Sequence, residues 1–183
     1  DCAVDANGTL HMMSSIFEQD DSLEETNRKL YDVRTDGSTW SASFISDINT
    51  ERDTDDDAAA IYGIGYNHRI QASKSGDETK VFAIWTDVNV DEFDVELLEF
   101  PDVYAHGVDV NTNLSTGVKN FTEATAFEAD NFWMFASPSA VTTSGGFAIP
   151  VTTSTAGDDA LTAMEHFYVC LLYTSPSPRD VEE

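Results

Sequence analysis

The residues of this chain that could do chemistry are mostly carboxylates. Asp53, Asp55, Asp56 and Asp57 form the densest acidic cluster, and Asp91, Glu92, Asp94 and Glu96 form a second. Clustered carboxylates supply the oxygen ligands that Ca²⁺ takes, so calcium is the one cofactor the sequence suggests. Neither cluster has the Gly-centred loop and closing Glu of an EF-hand, and a solvated acidic loop is the plainer reading. The histidines His11, His68, His106 and His166 stand at no metal-like spacing, and structural or surface roles are expected for them. No acid pair is marked as general acid and base, and no nucleophile-elbow motif supports Ser-His-Asp chemistry. Trp40, Trp85 and Trp133, with Tyr104 and Phe121, could stack on sugar rings, but aromatics at strand positions more often fill a core. Asn7, Asn113 and Asn120 open matches to the glycosylation acceptor pattern, read here as chance matches in turns. The sequence therefore assigns no catalytic residue, and the reading leans away from an enzyme.

Composition narrows the partners. The chain has 183 residues, with 34 Asp+Glu against 9 Lys+Arg and a formal net charge of -25. Such a field repels phosphate backbones and anionic lipid surfaces, so nucleic acid is not an expected partner. No apolar run approaches the ~18 residues of a membrane span, so no membrane insertion is expected. At 41% hydrophobic residues there is enough for a core. The two cysteines, Cys2 and Cys170, give no disulfide framework or metal set.

The elements that must position any site read as strands and tight turns. Segments 3–5 and 9–16 flank Asn7-Gly8, and 30–34 and 39–45 flank Asp36-Gly37. In the second of these hairpins Trp40, Ala42 and Phe44 alternate with Ser41 and Ser43, the period-two pattern of a half-buried strand. Segments 69–73 and 80–87 flank Gly76-Asp77, and Val81-Phe82-Ala83-Ile84-Trp85 is apolar on both faces, as a central strand is. Segment 103–110 turns through 113–117 towards Val118 and Phe121. Segments 140–141 and 147–151 flank Gly145-Gly146, and 165–169 opens one more strand. Residues 91–100 and 158–165 could form short helices. The fold class is all-β.

The turns repeat. Gly8, Gly76 and Gly145 each sit in a hairpin with a strongly apolar second arm, and hairpins of a second type fall between them. Tandem four-stranded antiparallel sheets are the signature of β-propeller blades. The blade-like units cover about 1–50, 68–125 and 132–169, roughly two and a half blades, so the chain reads as a propeller fragment, with a β-sandwich as the alternative. The excess over a compact blade lies in the acidic stretches 46–60 and 86–101, expected as loops on the propeller's faces. From Cys170 the composition breaks, and Cys-Leu-Leu-Tyr-Thr-Ser-Pro-Ser-Pro-Arg-Asp looks like a translated sequencing adapter. Residues 170–183 are therefore read as a non-native tail, distinct from the 1–169 unit.

The stretch 72–87 resembles blades of bacterial secreted propellers of the sialidase-like, BNR-repeat kind, as do Ala105-His106-Gly107-Val108-Asp109-Val110 and Lys119-Asn120-Phe121-Thr122. Resemblance to that group implies export to the cell surface, often by the type IX secretion route. The group's Asp-box is Ser-x-Asp-x-Gly-x-x-Trp, whose Asp ties the hairpin turn. Residues 33–40 keep Gly37 and Trp40 but place Thr35 where that Asp should stand. Sialidase chemistry also needs an arginine cluster to hold a carboxylate, and outside the tail the chain has only Arg28, Arg34, Arg52 and Arg69. The expectation is thus a secreted or cell-surface propeller that recognises glycans or surface proteins without bond chemistry. A sialidase-like glycoside hydrolase and a Ca-dependent adhesion module are the alternatives.

Overall fold

The computed structural model describes residues 1–19, 26–48, 70–88, 101–123, 125, 133–154 and 166–174. Strands β1 (Cys2–Val4), β2 (Leu10–Gln19), β3 (Thr26–Thr35) and β4 (Trp40–Ile48) form an antiparallel meander. A second meander follows, of β5 (Gln71–Ser75), β6 (Lys80–Val88), β7 (Pro101–Asp109) and β8 (Ser115–Asn120). The third group is β9 (Trp133–Ala136), β10 (Ser139–Thr143), β11 (Gly146–Ser154) and β12 (His166–Thr174). The chain is all-β, with no helix among the described residues. The possible helices at 91–100 and 158–165 lie outside them.

The tight turns fall where the sequence puts them. Gly8 and Gly37 have φ of 81° and 89°, a region that costs a side chain bearing Cβ but not glycine. Two features, strand β9 and the pairing of β10, differ from expectation. Strand β9 has no counterpart in the sequence reading, because four residues are too few to establish a period; it lies along β11 beyond β10, and the Gln71 side chain accepts the Ala136 N–H. Strand β10 pairs in parallel with β5, Ser139 opposite Lys74 and Ala140 opposite Ser75, which joins the second and third groups into one mixed sheet. The compositional break at Cys170 falls inside β12, whose backbone pairs with β11 as far as Thr174 opposite Gly146.

Two apolar clusters hold the layers together. Met13, Leu30, Ile45 and Ile48 of the first sheet pack on Ala72, Val81, Ala83 and Trp85 of the second. On the opposite face of the same β6 and β7, Phe82, Ile84, Val103 and Ala105 pack on Met134, Ala140, Ile149 and Val151. Alternation along β6 thus sends odd and even residues into different cores, and the 81–85 run is buried throughout. Each large side chain so buried contributes about 1.5–3 kcal/mol.

The layers stack in one sense. Met13 donates its backbone N–H back to Asp1, towards β1. Val110 donates to the Thr79 carbonyl, so Val81, Ala83 and Trp85, in step with Thr79, turn their backbone groups onward to β7. In L-residue strands of like direction these two sets face opposite sides. The back of the first sheet therefore meets the front of the second. Ser137 donates to the Pro150 carbonyl, which by the same reasoning puts Ile149 and Val151 on the front of the third group, against the back of the second. The first strands run alongside one another: Ala72 N–H donates to the Asp1 carboxylate, Lys74 Nζ to Val4 O and Ala6 N–H to Glu78 O.

Candidate functional site

Between the first two sheets lies a buried charged cluster centred on His11. The ring is 2% exposed, with Nδ1 2.9 Å from Asp32 Oδ2 and Nε2 3.3 Å from Asp5 Oδ2. Carboxylates only accept hydrogen bonds, so this arrangement is met in full only by the doubly protonated imidazolium, which donates from both nitrogens. Asp5 closes the β1–β2 turn, where its Oδ1 accepts the N–H groups of Asn7 and Thr9 at 2.8 and 2.9 Å. Asp32 and Arg34 are neighbours on one face of β3, and Arg34 Nε donates to Asp32 Oδ2 at 2.6 Å. Arg34 also reaches across the layers, donating from Nη1 to Asn113 Oδ1 at 3.1 Å in the β7–β8 turn.

The electrostatics are mutual. Burial alone would lower the His11 pKa, but the hydrogen bond and charge of Asp32, with help from Asp5, turn the net shift upward. Burial would likewise raise Asp32, and His11 and Arg34 together hold it below the usual carboxylate range. Both shifts favour the ionised pair. Nearby His106 behaves in the opposite way: burial pushes its pKa down, against a hydrogen bond to the Gly117 backbone and the field of Asp32. Its Nδ1 has no hydrogen-bond partner among the described residues. A fixed imidazolium without a free nitrogen ties the β1–β2 turn to β3 within the first sheet, and Arg34 carries the cluster across to Asn113 of the second.

A second polar group closes the far end of the same interlayer space. Asp102 is 1% exposed; it accepts from Thr122 Oγ1 and Asn120 Nδ2, both at 2.7 Å. Buried Asp87 lies opposite it in the β6–β7 register. Tyr104 stacks on buried Trp85, with ring centroids 5.9 Å apart. Burial, and then the charges of Asp102 and Asp87, push the Tyr104 hydroxyl well above the ordinary tyrosine range.

The β1–β2, β3–β4, β5–β6 and β7–β8 turns are each pinned by an aspartate. Asp36 Oδ1 accepts the N–H groups of Ser38 and Thr39, both at 2.8 Å, while Thr35 Oγ1 accepts Gly37 N–H. The residue missing at position 35 is therefore replaced in function by its neighbour. In the β5–β6 turn Ser75 Oγ donates to Asp77 Oδ1 at 2.6 Å and Asp77 accepts Thr79 N–H. Asp109 holds Asn111 and Thr112 and also pairs with Lys80 at 2.6 Å. Ser75 and Asp77 thus stand in the order Ser-x-Asp that the box pattern opens with. Its signal in the sequence was masked by Thr79 and Phe82 at the usual Gly and Trp positions.

The acidic cluster 53–57, the stretch 91–96, His68, Arg52 and Arg69 lie outside the described residues. His166 falls on β12 and Trp133 on β9. Among the described residues no group of three or more His, Cys, Asp or Glu is placed to hold a metal ion. Trp85 is core, Phe121 packs against the face of β6–β7 that carries Phe82, Ile84, Val103 and Ala105, and Tyr104 is half-buried. Trp40 is 66% exposed and Phe44 52% exposed, so the alternating face of β4 is outward, the reverse of what its pattern suggests. No protein-family model, curated protein or solved structure matches the chain.

Proposed function

We propose that this protein is a β-propeller module of a secreted or cell-surface protein that recognises glycans or proteins through its rims, without bond chemistry. Three features support the propeller over a two-layer sandwich. The middle sheet is covered on both faces. The sheets stack back to front, as blades do. Their first strands β1, β5 and β10 run side by side, as innermost strands round an axis would. The Ser75–Asp77 turn adds to the sialidase-like, BNR-repeat resemblance.

The observation that carries the non-catalytic reading is the commitment of the buried charged groups to one another. His11, Asp5, Asp32 and Arg34 form a closed set, so Arg34 is occupied rather than offered to a substrate carboxylate. The turns, pinned by Asp5, Asp36, Asp77 and Asp109, present a rim of preorganised polar groups, the kind of surface that positions a ligand on a rigid scaffold. The test is a panel of immobilised glycans, run beside a hydrolysis assay on a fluorogenic sialoside. Saturable glycan retention without turnover is expected. Turnover by the purified chain would overturn the reading in favour of a hydrolase.

A further inference from the structure

We propose that Trp85 and Ser15 hold a water molecule between the first two sheets, an internal hydration site that bridges β6 to β2. The site needs only the contact between these two sheets, whatever the number of blades. Trp85 is 0% exposed, and its indole Nε1 has no hydrogen-bond partner among the described residues. Ser15 Oγ is likewise shut off from solvent and unpartnered. The large majority of buried polar atoms in folded proteins are satisfied, by protein or by ordered water. The register brings these two atoms into one place. Asp1 accepts the Met13 N–H through its carbonyl and the Ala72 N–H through its carboxylate, and Ala72 stands opposite Ala83. Met13 of β2 and Ala83 of β6 therefore lie at one height.

Strands β1 and β5 climb together, Asp1 with Ala72, Val4 with Lys74 and Ala6 with Glu78. Their antiparallel partners β2 and β6 thus also share a direction. Two residues further along each, on the same inward side, come Ser15 and Trp85. The packing agrees: Trp85 shares one apolar cluster with Met13 and Leu30, and Leu30 is the cross-strand partner of Ser15. The other two orphaned atoms stand elsewhere. His106 Nδ1 is one alternation away, opposite Ala83, and Ser73 lies on the other face of the second sheet, opposite Phe82. The chemistry of the pair selects the ligand. An indole N–H only donates, while a serine hydroxyl donates and accepts. The two make no direct bond, so the bridging molecule must accept from Trp85 and donate to Ser15. Water does both and a bare ion does not; two partners also meet the 2–4 that a buried water takes.

The experiment is water–protein cross-relaxation by NMR on the intact chain, with the Trp85 indole signal identified by its loss in Trp85→Phe. That N–H should show cross-peaks to water of opposite sign in the laboratory and rotating frames. Opposite signs mark a held molecule; proton exchange and passing bulk solvent give the same sign in both. Ser15→Ala should remove those cross-peaks. It should also raise the unfolding equilibrium constant about 5-fold, because a water-mediated bond is nearly as good as a direct one. A double-mutant cycle of Ser15→Ala with Trp85→Phe should show a coupling of at least ~2-fold. Without the bridge, Ser15→Ala only deletes a buried orphan and leaves the unfolding constant unchanged or lower. That outcome overturns the proposal. So does an indole with no cross-peak to held water, which is read on the wild type and needs no variant to fold beyond the assignment. Cross-peaks that survive Ser15→Ala undiminished overturn it as well, since the water would then be held without β2.

Discussion

Replacing His11 by Leu tests whether the buried cluster clamps the β1–β2 turn to β3. In the wild type the imidazolium stands between Asp32 at 2.9 Å and Asp5 at 3.3 Å, all three nearly inaccessible to water. Removing one partner of a buried pair costs about 3–5 kcal/mol, because the other charge is left uncompensated. Here the lower end applies, since Asp32 keeps Arg34 and Asp5 keeps the amides of Asn7 and Thr9. A loss of about 3 kcal/mol corresponds to roughly 6–12 °C in Tm for a chain of this size. The pH dependence carries the sharper test. His11 is raised in the fold, so its contribution is complete below the ordinary His value of ~6.5 and fades as pH rises through the folded value. Asp32 is lowered, so its contribution is complete above the ordinary Asp value of ~3.9 and fades as pH falls through the folded value. The two are fully present together between about pH 4 and 6.5. Urea unfolding followed by circular dichroism at pH 6 and pH 9 should show a larger wild-type advantage at pH 6, with His11→Gln intermediate because its amide can still donate. An advantage below about 1 kcal/mol, or one equal at both pH values, would refute the clamp.

Other expectations follow from neighbouring residues. His106 is held neutral by burial, so protonating it costs stability as pH drops below ~6.5; His106→Leu should raise stability at pH 5 and change it little at pH 8, measured by the same unfolding curves. Trp85→Ala should cost about 3–5 kcal/mol. Trp85→Phe should cost less than the alanine change, since it leaves a smaller cavity and the indole N–H it removes has no hydrogen-bond partner among the described residues. Gly37 sits at φ 89° with open space around its Cα, so Gly37→Ala should destabilise by about 1–2 kcal/mol through the backbone alone. Gly76 also has open space but is not in the left-handed region, and Gly76→Ala should leave the melting curve unchanged or slightly raised.

Much of the fold was legible because turns and alternation are local signals. Asn7-Gly8, Asp36-Gly37, Gly76-Asp77 and Gly145-Gly146 each mark a hairpin, and the unbroken run from Val81 to Trp85 marks a strand covered on both faces. The candidate site was not legible in that way. His11 was visible as a histidine in a strand, but its partners Asp5 and Asp32 come from a turn and from the next strand. The usable clue was charge at inward positions: Asp32 and Arg34 alternate with Val33 in step with Leu30, which is fully buried. The pattern Trp40, Ala42, Phe44 misled for a related reason. A period of two says that one face is apolar, not which face the neighbouring sheet covers.

The sequence by itself determined the strands other than β9, the positions of the tight turns, their repetition along the chain and the strong negative charge, because backbone conformation, residue pattern and net charge are properties of the chain alone. Only the tertiary structure decided the parallel join of β10 to β5, the back-to-front stacking, and the closure of His11 between two carboxylates. Those depend on which groups meet across distances of many residues. Burial then turns such a meeting into an ionised pair, or holds His106 neutral, according to the partners that happen to lie within reach.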